Sequence, residues 1–188
     1  MLFRSECKGE DVYIVGGANS AGQAAMFMSR TAKSVTMLVR GPSLETSMSY
    51  YLIQQIEKND NITVRTCTEV VDTLGEDDHL TGLVLLDRQS GEKETVTSDR
   101  LCCFIGAEPR TEWLDVIAKD DHGFILSGPD LREVSGWSLE RPPHHLETSV
   151  PGVFVAGDVR AESAKRVAAA VGEGSMAVML VHRYLAEA

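Results

Sequence analysis

Residues 12–40 constrain the chain more than any other stretch, because an apolar run, a glycine-rich turn, a helix-like segment and a second apolar run follow one another without a break. Val12-Tyr13-Ile14-Val15 reads as a buried strand. It feeds Gly16-Gly17-Ala18-Asn19-Ser20-Ala21, after which Ala24, Ala25, Phe27 and Met28 suit a helix packed on a sheet, and residues 35–39 supply the next strand. This is the order of a βαβ unit that binds a dinucleotide.

Each position in the turn has a physical task. Gly16 permits the tight exit from the strand, the residue two further on must let a pyrophosphate approach the backbone, and small Ala21 lets the helix sit close to the strand. The amides of the first helical turn, around Asn19 and Ser20, then hold the phosphates. Ala18 stands where a second glycine is usual, so either the pyrophosphate sits slightly farther out or Gly17 takes that role. Position 40 lies about twenty residues past the turn, where an acid would bind the ribose hydroxyls of NAD and repel a 2′-phosphate. Arg40 does the reverse, and the expected coenzyme is therefore NADPH. The plain alternative is an ordinary strand and helix with a coincidental glycine turn; strand, spacing and Arg40 together argue against it.

With 188 residues and 43% hydrophobic content, the chain can bury one sizeable core, or one core and a smaller lobe. Its net charge of -10 argues against a nucleic-acid surface and against an anionic membrane, so phosphate binding must be local. No apolar run spans a bilayer and no secretory segment precedes the first strand, so a soluble, cytoplasmic protein is expected. Cys7, Cys67, Cys102 and Cys103 form neither a disulfide framework nor a C-x-x-C pair and read as buried, reduced thiols. The adjacent His144 and His145 lack the spacing of two ligands on one helix face, and no metal is expected.

Beyond Gly41-Pro42-Ser43, residues 47–57 read as a helix with Tyr51, Leu52, Gln55 and Ile56 spaced to place an apolar face inward, and residues 62–66 as a strand. Residues 69–105 alternate as an antiparallel meander, with strands at 70–74, 80–87 and 94–97 and a return strand at 101–105. The expected fold class is thus α/β: a Rossmann-like parallel sheet with an antiparallel β-meander insert. About forty irregular residues follow, with Trp113 and Trp137 as expected anchors. Residues 148–158 then read as an apolar strand ending in Gly157-Asp158, an acid placed where a sugar or ribityl hydroxyl can be bound. The helix expected over 165–185 carries Gly172 and Gly174, each costing about 1 kcal/mol relative to alanine, for which close backbone packing is the expected reason. The division is a nucleotide-binding domain at 9–107, a crossover at 108–147 and a last segment at 148–188.

These two sites together resemble the flavin-dependent pyridine nucleotide-disulfide oxidoreductases, and most of all their thioredoxin-reductase-like branch. The resemblance runs from Gly9 onward. Ile105-Gly106-Ala107-Glu108-Pro109 matches the family's Ile-Gly-x-x-Pro exit from the nucleotide domain, and residues 148–158 match its carboxyl-terminal flavin signature. The resemblance implies an NADPH domain followed by the carboxyl-terminal strand and helix of a split FAD domain. It places Asp158 on the ribityl chain of FAD and Lys165-Arg166-Val167 where thioredoxin reductases have Arg-Gln-Ala against the flavin. Arg40 falls on the first of the family's paired 2′-phosphate arginines, while Gly41 replaces the second and Glu45 a third basic residue.

Two family features have no counterpart in this sequence: the amino-terminal glycine turn for the ADP half of FAD, and the redox-active Cys-x-x-Cys, since Cys7 stands alone. Thioredoxin reduction by this chain is therefore unsupported, and the expectation is a piece of a longer reading frame. Leu2-Phe3-Arg4-Ser5 is also what a common sequencing adapter encodes, which sets the expected natural start near Glu6. The implied function is hydride transfer from NADPH to FAD in the intact protein, by a homodimer, to an acceptor that is a disulfide, a quinone, a small molecule or oxygen. The connections near Gly9 and Gly106 are the implied hinges, and the chain offers no catalytic acid, base or nucleophile of its own. The rival readings are a non-catalytic nucleotide sensor, and a lobe completed by another chain, marked by an exposed apolar surface around residues 153–156.

Overall fold

The computed structural model describes residues 7–133 and 137–187, so the expectation about Leu2 to Ser5 lies outside the described residues. The chain divides into two compact units, one ending at Gly106 and the other beginning at Ala107.

The first unit is built on strands β1 (Asp11–Val15), β2 (Ser34–Leu38), β3 (Ile62–Arg65) and β7 (Leu101–Cys103), which form a parallel sheet in the order β3-β2-β1-β7. Strand β1 is central, with Val12 and Ile14 fully buried on one face. Helix α1 (Asn19–Met28) covers that face with Ala21, Gly22, Ala25 and Met28, a helical stripe of mostly small residues that lets it lie close. Helix α2 (Tyr50–Glu57) adds Leu52, Ile53 and Ile56 to the same core, so its inward face runs through Ile53, while Tyr51, expected inward, is exposed. The helix begins at Tyr50 and not at Ser47, because residues 44–48 form their own turn, with Ser47 and Met48 both donating to the Leu44 carbonyl.

The opposite face of the parallel sheet meets a second, antiparallel sheet made of β4 (Thr68–Glu76), β5 (His79–Asp87) and β6 (Lys93–Thr97). Leu38, Leu83 and Leu85 are buried between the sheets, joined by Tyr13, Val15, Val70 and Leu101. A fully buried leucine contributes about 1.5–3 kcal/mol. Strand β7 is not part of this sheet: it returns to the parallel one, with Tyr13 opposite Leu101 and Val15 opposite Cys103. The insert is thus three strands, and the return strand closes the edge of the nucleotide-binding sheet beside β1. Expected burial of all four cysteines does not hold, since Cys7 is buried, Cys67 and Cys102 are half-buried, and Cys103 is exposed. Burial pushes the Cys102 thiol above its ordinary range.

In the second unit, Ile117, Ile125 and Val155 form a small core with Leu114, Val150 and Val159 around it. The expected strand over 148–158 is reduced to local pairings: Thr148 and Val155 donate to the carbonyls of Val153 and Leu146, and Glu147 bridges Phe154. Trp113 is 76% exposed and bonds only locally, its indole N–H donating to the Arg110 carbonyl, whereas Trp137 is half-buried against Arg141. Helix α3 (Val167–Glu187) buries only Leu180 fully, leaving Val167, Val171, Val178, Met179 and Leu185 exposed. The close packing expected of Gly172 and Gly174 is absent among the described residues, because a Cβ built on either meets no atom within 4 Å outside its own helix backbone. No helix among the described residues is long and apolar enough to cross a membrane.

Candidate functional site

Parallel pairing of β1 with β2 and β7 brings the carboxyl ends of all three strands to one edge of the sheet. The expected site residues of the first unit lie there. Gly16 leaves β1 at φ +142°, and its N–H donates to the Leu38 carbonyl at 3.1 Å. A Cβ on Gly16 would come within 2.5 Å of the Phe104 carbonyl oxygen and 3.1 Å of Ala21 Cβ. The Phe104 N–H donates to the Val15 carbonyl at 2.7 Å, which holds this residue beside the end of β1.

Gly17 faces inward, where an added Cβ would meet Val39 Cγ1 at 2.9 Å. Its missing side chain therefore leaves room for Val39, just past β2, and Ala18 is the exposed residue of the turn. Ala18 is the N-cap of α1, extended at φ -97° and ψ 177°, and supplies no capping side chain. No acid lies in the first helical turn either, so its amides meet no competing carboxylate of the helix. Asn19 and Ser20 are exposed in that turn, while Ala21 is fully buried behind it.

The loop after β2 is fastened across this turn. Ser47 Oγ donates to the Gly17 carbonyl at 2.9 Å, and the Ser49 N–H donates to Asn19 Oδ1 at 2.8 Å. The backbone around position 40 is held as well, since Thr68 and Cys67 donate to the carbonyls of Val39 and Gly41. Arg40 is thus an exposed cation on a clamped segment, directly after the Val39 side chain that touches the glycine turn. Ile105 and Gly106, the latter at φ +94°, emerge past β7 at the same sheet edge.

In the second unit, Gly157 is buried at φ +85° and Asp158 is exposed beside it. Lys165 is exposed, and its Nζ sits 3.9 Å from the Phe124 ring centroid and donates to the Arg160 carbonyl and Ser163 Oγ, both at 3.1 Å. Arg166 and Val167 are exposed at the start of α3, where the Arg166 carbonyl accepts the Ala170 N–H.

Sequence reasoning missed two carboxylates that hold this region, one buried and one half-buried. Glu147 is fully buried and takes the Arg141 guanidinium through both oxygens, at 2.7 and 2.9 Å, plus the amides of His144 and Gly152. Burial alone would raise its pKa, but Arg141 and the two amides outweigh burial and bring the carboxyl to about 2. The other is Glu173, paired with Arg160 at 2.6 Å. Neither acid has a local motif, because each partner comes from a different turn or element.

A parallel sheet with a sterically closed glycine turn at its carboxyl edge, leading into an uncapped helix, is the arrangement of the α/β folds built on a dinucleotide-binding motif. Comparison with known proteins is more specific. Residues 2–174 match the model of the pyridine nucleotide-disulphide oxidoreductases, and the chain belongs to that family. It is similar to a thioredoxin reductase of Streptomyces clavuligerus, 33% identical over 181 residues that make up 95% of this chain and 51% of that protein. Among solved structures, it resembles thioredoxin reductase of T. acidophilum, with TM-score 0.72 and 29% identity over 99% of this chain and 55% of the other. Lactococcus lactis thioredoxin reductase shares the fold at TM-score 0.76 and 21% identity, covering 100% and 56% of the two chains. The chain spans about half the length of these relatives. The family depends on flavin and pyridine nucleotide.

Proposed function

We propose that the chain is the NADPH-binding portion of a flavin-dependent oxidoreductase resembling thioredoxin reductase. The observation that carries this reading is the Gly16 turn: a backbone cradle that a single Cβ would fill, opening onto uncapped first-turn amides with an exposed arginine one strand away. Phosphate fits that donor set. Gly16, Gly17, Ala18, Asn19, Ser20 and Ala21 would form the pyrophosphate wall, and Arg40 would meet the 2′-phosphate. On the flavin side, Gly157 and Asp158 would hold the ribityl chain of FAD, with Arg166 at the open end of α3. When bound, NADPH supplies a hydride and FAD accepts it. The chain's own residues bind and orient; none is assigned a proton transfer.

The reading extends to a cytoplasmic homodimer, consistent with the free thiols of Cys67, Cys102 and Cys103. The electron acceptor is left as a disulfide, a quinone, a small molecule or oxygen. A second reading, a lobe completed by further polypeptide, is supported by the apolar concavity lined by Val153, Phe154, Val178 and Val181. Titration of the purified chain with NADPH, followed by protein fluorescence, tests the main reading. Saturable binding is expected, and its loss in Ala18→Glu, which places an acid at the phosphate wall, supports the site; absence of binding in the wild type contradicts it.

A further inference from the structure

We propose that Glu173, from within α3, is the positioning residue of the turn that presents Asp158. The inference rests on the reading that Asp158 faces the ribityl chain of a flavin, and it adds the group that sets where Asp158 stands. Gly157 sits at φ +85°, a conformation glycine adopts and leaves with little penalty. A glycine alone would therefore present Asp158 loosely.

A closed ring of bonds removes that freedom. The Gly157 N–H donates to Glu173 Oε2 at 2.7 Å, and the Gly157 carbonyl accepts the Arg160 N–H at 3.0 Å. Arg160 then returns to the same acid, with Nη2 and Nε at 2.6 and 3.2 Å from Glu173 Oε1. Both ends of the Gly157 residue are thus tied to one carboxylate, one directly and one through Arg160. The pair is screened from water, with side chains 14% and 11% exposed, which favours charge-assisted bonds. Arg160 is itself held, since it bridges Ile125 and its Nη1 donates to the Ala161 carbonyl. Ala170 lies against the turn, 3.4 Å from where a Gly157 Cβ would be. A buried ion pair is often no more stabilising than apolar residues of the same size, so the geometry it imposes is its distinctive contribution.

The test compares the full chain with Glu173→Ala, Glu173→Gln and a control, Ile117→Ala, which loosens the small core without touching the turn. Two quantities are read: exchange of the Gly157 amide relative to that of Ile125 by NMR, and FAD affinity by flavin fluorescence. Glu173→Ala is expected to speed relative exchange and weaken FAD binding, each by about tenfold, the loss of one hydrogen bond to a charged group. Glu173→Gln, which keeps an acceptor but not the ion pair, should fall between, and it keeps the test valid if Glu173→Ala fails to fold. Ile117→Ala should lower the melting temperature and leave both ratios within about twofold. Faster exchange with unchanged FAD affinity would reduce Glu173 to a structural role and overturn the proposal, as would unchanged exchange. If the wild type binds no FAD while exchange responds as expected, the Glu173 clamp on its turn stands and its link to flavin binding is overturned for this chain.

Discussion

Gly16 and Phe104 approach so closely that a Cβ on the glycine would lie 2.5 Å from the Phe104 carbonyl oxygen, which belongs to the neighbouring strand end. The glycine is required by the sheet itself, before any ligand binds. Gly16→Ala is expected to destabilise the first unit by about 2–4 kcal/mol, combining a positive φ with a clash against backbone. Chemical denaturation monitored by circular dichroism would show it; a loss under about 0.5 kcal/mol would mean that the turn adapts.

Asn19 separates stability from phosphate binding. Its Oδ1 accepts the Ser49 N–H at 2.8 Å, a role a carboxylate fills equally well. Asn19→Asp also places an acid in the first turn of α1, which favours the helix by about 0.3–1 kcal/mol. The same charge opposes a bound phosphate. The melting temperature should rise slightly while NADPH affinity falls by about tenfold; a variant that gains both would remove phosphate from this helix end.

Glu147 makes the second unit acid-sensitive. Its ordinary pKa of 4.5 falls to about 2 in the fold, so the folded state favours the ionised form. Its contribution, roughly 3 kcal/mol from a shift of this size, is fully present above the unfolded value and is lost as pH drops from about 4.5 towards 2. Glu147→Gln cannot satisfy Arg141 in the same way and should destabilise by about 3 kcal/mol at neutral pH. The difference between wild type and variant should shrink across that acid window. A difference that is flat from pH 7 to pH 3 would contradict the assignment.

Gly172 offers the opposite sign. It stands inside α3 with open space where a Cβ would go. Gly172→Ala is expected to stabilise the isolated chain by about 0.5–1 kcal/mol, through helix propensity and reduced freedom of the unfolded chain. Thermal unfolding decides it, and a loss of stability would show that this face is covered.

The first unit was legible because its signals are local. Residues 12–21 carry strand, turn and helix in sequence, and the small residues of α1 announce close packing on a sheet. The alternation in β4, β5 and β6 likewise marks the insert. What escaped were features set by partners distant along the chain. Leu101 to Cys103 is apolar and short, and nothing local tells whether it closes the meander or joins β1 in parallel. Ser47 caps the Gly17 carbonyl from thirty residues away, which delays the start of α2. Glu147 and Glu173 look like ordinary surface acids until Arg141 and Arg160 are seen against them. Gly172 and Gly174 suggest close packing by residue type alone, and open space stands where a neighbour would have to be.

The central claim is that Arg40 and the amides of α1 jointly hold a phosphorylated adenosine. Parallel titration of wild type and Arg40→Asp with NADPH and NADH measures it directly. The wild type should prefer NADPH by about 1.5 kcal/mol or more, the scale of a hydrogen bond to a charged group, and the variant should lose that preference. Equal affinity of the wild type for the two coenzymes would contradict the account.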